Sequence, residues 1–109
     1  MGNIDLNALL DTLKEGVTSL AKVTVQNYLN DAKADGIKLV ESLKTDIKIW
    51  GEEFVAGRLT EDDVKFLVLA KKDLIEMNAL KQAGLGLIKV DEFKNAILQL
   101  IIKTIIGLI

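Results

Sequence analysis

The sequence contains no cysteine, no histidine and no proline, and only five of its 109 residues are aromatic. Without cysteine there is no disulfide, thiolate nucleophile, iron–sulfur ligation or lipoprotein anchor, and the redox compartment leaves no mark on the chain. Without histidine, a Ser-His-Asp triad, a Cys-His pair, an imidazole zinc site and a Glu-x-x-His di-iron site are excluded by inventory. Carboxylates and lysines could still catalyse in a pocket that shifts their pKa values, but a narrow aliphatic bundle offers no obvious one. The expectation is therefore a protein that is not an enzyme, holds no cofactor or metal and has no evident small-molecule substrate. The missing proline implies few and short connections between long helices.

Charge of one sign is also lacking. Sixteen acidic and fourteen basic residues alternate along the chain, with 9 acids and 7 bases up to residue 59 and 7 of each beyond it. Nucleic-acid binding needs a clustered basic footprint, preferably with stacking aromatics, so no nucleic-acid partner is expected. The start, MGNIDLNALL, has no basic segment followed by a long apolar run and is not a secretory signal. Gly2 fits N-myristoylation only in part, because that pattern wants Ser or Thr where Leu6 stands. A cytoplasmic location is expected.

What the sequence has in abundance is aliphatic side chains, half of the residues being hydrophobic. A chain of this length forms one domain and buries roughly two thirds of its unfolded surface. The expected fold is a single all-α domain over residues 1–109, an antiparallel helical bundle or long helical hairpin of three to four helices. From Leu13 to Phe54 apolar residues recur at intervals of four and three (Leu13, Val17, Ala21, Val25, Tyr28, Ala32, Gly36, Leu39, Leu43, Ile47, Trp50, Phe54), close to the 3.67-residue period of a nearly straight helix. A continuous helix over 4–56 would be about 80 Å long. The alternative is a break at Asp35-Gly36 that folds two shorter helices against each other. The retained phase favours continuity, since glycine within a helix costs only about 1 kcal/mol.

The next boundary has explicit chemistry. Gly57 ends one helix, Thr60 caps another with Asp63 at N3, Glu61 and Asp62 suit the positive end of its dipole, and Leu59 with Val64 matches a hydrophobic staple. This helix is expected over 61–83, with Leu67, Ala70, Leu74, Met77 and Leu80 on one face and Lys71-Lys72 paired to Glu76. Gly84 sits where a left-handed C′ residue belongs, with Leu85 able to contact Leu80 in a Schellman ending. The last helix is expected over 88–106, with Asp91 an acceptable cap and Asp91-Glu92 favourable near its start.

Motif searches return only structural readings. Asp31 to Ser42 has acids and glycine at three calcium-loop positions, but Lys33 and Ser42 stand where ligands are required. Gly84-x-Gly86 is followed by Lys89 where a dinucleotide fingerprint needs glycine. Glu52-Glu53 fits a solvated face with Lys48 four residues before Glu52.

The most informative stretch is the last. Phe93 to Ile109 places apolar side chains almost all round a helix, leaving a thin polar strip of Asn95, Gln99 and Lys103. Such a helix must be covered by its own chain, by another subunit or by lipid. Ala96 to Ile109 reaches only about 21 Å and carries Lys103, short of a hydrocarbon thickness near 30 Å. A homo-oligomer or larger protein assembly is therefore the leading expectation, and a membrane partner met by inserting this helix is the alternative. The contact is expected where the two ends of the chain meet, at Leu6, Leu10, Leu13, Ile97, Ile101, Ile105 and Leu108. Trp50, the only tryptophan, is a core anchor or a partner anchor.

Overall fold

In the computed structural model, which describes residues 4–109, the first helix starts where the sequence supplies an acceptor. Asp5 takes the Ala8 N–H on its carboxylate at 3.1 Å, and α1 runs Leu6–Thr24. Its inner stripe is Leu9, Leu10, Leu13, Val17 and Ala21. The β-branched run Val23-Thr24-Val25 then weakens the helix. A 3-10 turn at Gln26–Tyr28 reverses the chain into α2, Leu29–Ser42. Lys14 pairs with Glu41 across the two helices, and Gly36 faces Val17, so α1 and α2 form an antiparallel hairpin. A second interruption at Leu43 leads into α3, Lys44–Val55.

The continuous helix over 4–56 is thus corrected, and so is the break at Asp35-Gly36, which lies inside α2. The chain breaks at 25–28 and at Leu43 instead. A 3-10 turn keeps winding with the same hand, so the apolar phase survives while the helix direction reverses. Phase alone did not encode collinearity. The molecule measures 45 × 24 × 20 Å, far from an 80 Å rod.

After Gly57 the expected chemistry is present. Thr60 Oγ1 accepts from Asp63 N at 3.1 Å while Thr60 N donates to Asp63 Oδ2 at 2.9 Å, and α4 follows. Gly57 has φ 79°, with Arg58 N donating to Glu53 O and Gly57 N to Phe54 O, a Schellman ending. Gly84, at φ 95°, repeats it with Leu85 N to Leu80 O and Gly84 N to Lys81 O.

Between these glycines the single helix 61–83 is corrected. α4 covers only Glu61–Leu69, a 3-10 turn occupies Lys72–Leu74, Ile75 is extended, and α5 is the short Asn78–Gln82. Leu74 consequently points outward, while Val64, Val68, Ile75, Met77 and Leu80 are buried. Lys71 pairs with Asp46 and Lys72 with Asp91, neither with Glu76. The last helix, α6, runs Leu87–Ile106 with Gly86 at its cap. Asp91 and Glu92 therefore lie beyond its first turn and pair with Lys72 and Lys89.

The fold is an all-helical bundle in which α6 is the central element, packed against α1, α3, α4 and α5. Seven of its residues, Val90, Phe93, Ile97, Leu98, Ile101, Ile102 and Ile105, are buried. Gln99 and Lys103 of the polar strip remain exposed, and Asn95 is half-buried. Small residues permit this enclosure: a Cβ at Gly36 would lie 2.4 Å from Val17 Cγ1 and 3.1 Å from Ile97 Cδ1.

Candidate functional site

The sequence places the contact surface where the chain's two ends meet, and the structure does bring them together. Ile4, Asp5, Ala8, Leu9 and Thr12 from the start of the chain, Val55 at the end of α3, and Thr104, Gly107 and Leu108 line one open cleft of about 430 Å³. Its walls are mostly aliphatic. Its polar groups are already committed locally: Thr12 and Thr104 donate to the carbonyls of Ala8 and Leu100, and Asp5 caps α1.

Most of the expected contact residues do not reach this surface. Leu13, Ile97, Ile101 and Ile105 are fully buried and Leu10 nearly so, all within one core cluster of this chain. Only Leu6 and Leu108 are half-exposed, and of the two Leu108 lines the cleft. The premise that α6 needs a second copy to cover it is corrected, because α1, α3, α4 and α5 enclose it. Trp50 is buried in the same core and is no surface anchor.

Exposed apolar side chains gather instead at the opposite end of α6. Leu87 and Ile88, adjacent in its first turn, are 71% and 78% exposed. Val23, 83% exposed, lines one shallow groove with Leu85 and Lys89. Leu87 borders a second with Lys81, Val90, Asp91 and Lys94. These residues were legible only faintly: Val23, Leu87 and Ile88 are apolar residues lying off the periodic stripe.

The electrostatics are equally local. Lys14 hydrogen-bonds to Glu41 and holds its carboxyl below the ordinary glutamate value, helped by Lys44. Both partners stay substantially exposed, so the pair ties α1 to α2 without building a reactive site. Asp35 is different. At 5% exposure it is the one buried charged side chain among the described residues, and its oxygens accept from Ala79 N at 3.1 Å and Leu80 N at 2.8 Å. Those are the N2 and N3 amides of α5, so Asp35 caps that helix from forty-four residues away. Among the described residues no cluster of three acidic side chains is placed to hold a metal ion. No helix of the described residues is long and apolar enough to cross a membrane.

Comparison of the chain with protein families, with curated proteins and with solved structures gave no match.

Proposed function

We propose that this is a non-enzymatic helical interaction protein that self-associates through its C-terminal helix, by way of the exposed first turn of α6. The observation that carries the reading is the exposed pair Leu87 and Ile88 in the first turn of α6, with exposed Val23 on the groove that Leu85 and Lys89 line, on a molecule whose core is already complete without them. Single exposed apolar residues need no explanation, but neighbouring ones that fill no core position mark contact surfaces. Three such side chains make a small interface, so the association is reversible and concentration-dependent.

Sedimentation velocity across a concentration series tests this. The expected result is a mass that rises above the monomer at high micromolar concentration, and a Leu87→Ser/Ile88→Ser variant that stays monomeric under the same conditions. A wild-type chain that remains monomeric throughout would end the proposal.

A membrane reading is favoured by one feature of the same turn. Lys89, paired with Glu92, lines a groove with Val23, and Lys81 and Lys94 line another with Leu87 and Asp91, so that cationic side chains flank the exposed apolar residues, which suits adsorption to an anionic surface. Co-sedimentation with anionic vesicles, compared with neutral ones, distinguishes it: binding to the anionic vesicles alone, lost in the same double variant, would support the membrane reading. Insertion of α6 itself would require Ile97, Ile101 and Ile105 to leave the core.

A further inference from the structure

The segment between α4 and α6, residues 70–85, is fastened unlike the rest of the molecule. Only Ile75, Met77 and Leu80 within it are buried, whereas α6 buries seven of its twenty residues. Its remaining fastenings are polar. Among the described residues, every side-chain hydrogen bond joining positions more than five apart in sequence, the Lys14–Glu41 pair aside, involves residues 72–80 and either Asp35, Asp91 or Lys94. Lys94 donates to the carbonyls of Lys72 at 3.2 Å and Ile75 at 2.7 Å, Lys72 reaches Asp91, and Asp35 takes the first free amides of α5. Lys71 adds an ion pair with Asp46.

From this arrangement we infer that residues 70–85 form a strap that opens as a unit while α1, α2 and α6 stay folded, with the Asp35 carboxylate as its latch. Water can replace polar fastenings one for one, but not the apolar contacts that hold α1 to α6, so the two regions differ in the free energy of opening. The strap also has suitable ends. α4 gives way after Leu69, and Gly84, already at φ 95°, with Gly86 two residues on, absorbs the backbone change at the other side. Opening uncovers the faces of α2 and α6 on which the strap lies, and makes part of the central helix reachable without global unfolding. These contacts lie within one chain, so the opening does not depend on self-association.

Native-state hydrogen exchange of the full chain, followed residue by residue through a low-denaturant series at a concentration where the protein is monomeric, tests the inference. The amides of Ile75, Ala79, Leu80, Lys81 and Ala83 are expected to share one protection level, on the order of a hundredfold below that of Ile97 and Ile101, with a weaker dependence on denaturant. Asp35→Asn, which keeps the shape but loses an acceptor and the charge, is expected to lower the protection of the strap amides by about tenfold or more. Equal protection and equal denaturant dependence in the strap and in α6 would overturn the inference, and that comparison needs only the wild-type chain should the variant not fold. Unchanged strap protection in a folded Asp35→Asn variant would overturn the assignment of the latch.

Discussion

At the scale of single residues, two glycines inside helices separate backbone preference from packing. Gly16 and Gly36 both sit where alanine would favour the helix by about 1 kcal/mol. A Cβ at Gly16 would meet Leu100 Cδ2 at 2.6 Å, the free tip of a half-buried, flexible side chain that can turn aside. A Cβ at Gly36 would meet Val17 Cγ1 at 2.4 Å, and Val17 is fully buried with a β-branched side chain that has no other rotamer to take. Over-packing of that kind costs about 1–3 kcal/mol. Gly36→Ala is therefore expected to destabilise the fold by up to about 2 kcal/mol, net of the helix gain, while Gly16→Ala is neutral or stabilising by up to about 1 kcal/mol. Urea denaturation of the two variants decides it, and a Gly36→Ala protein as stable as Gly16→Ala would show that α1 and α2 do not approach as closely as described. The same pair explains why the sequence was ambiguous here: glycine reads as a potential break, and only the neighbour across the helix crossing shows that it serves close approach.

At the scale of elements, boundaries made by local chemistry were legible and boundaries made by distant partners were not. Thr60 with Asp63, Gly57 and Gly84 each act on backbone groups within a few residues, and each does what its position in the sequence implies. Thr60→Ala removes the acceptor for Asp63 N and is expected to cost about 1 kcal/mol, lowering Tm by roughly 5 °C in a domain of this size, whereas Thr60→Ser keeps the oxygen and most of the stability. Thermal unfolding followed by circular dichroism measures both, and an unchanged Tm in the alanine variant would mean that the solvent satisfies that amide equally well. The end of α4 and the start of α5 offer no comparable signal. The carbonyls of Lys72 and Ile75 between the two helices and the amides of Ala79 and Leu80 in α5 are satisfied by Lys94 and Asp35, which lie 19 to 45 residues away in sequence, so periodicity carried the expected helix straight through a region where tertiary partners make a break tolerable.

At the scale of the whole molecule, the surplus of apolar surface on α6 was legible and the identity of its cover was not. The amount of surface is a property of one helix, but its cover depends on how many neighbours the chain can fold around it. The reversal at 25–28 and the interruption at Leu43 supply those neighbours from residues that a single rod would have carried away. Ile101→Lys distinguishes a helix covered by its own chain from one covered by a companion copy. If a second copy provided the cover, the variant would lose assembly and survive as a folded monomer. Ile101 has no exposed surface in the single chain, so the new ammonium must be buried without a counter-charge at a cost of several kcal/mol, a large part of the stability of a domain this small. The expected outcome is loss of helical circular dichroism or a Tm far below wild type at concentrations low enough to keep the wild type monomeric. Leu87→Ser/Ile88→Ser, which changes side chains already in solvent, is expected to leave folding within about 0.5 kcal/mol of wild type. A folded, monomeric Ile101→Lys protein would reinstate the companion copy as the cover of α6 and displace the contact from its first turn.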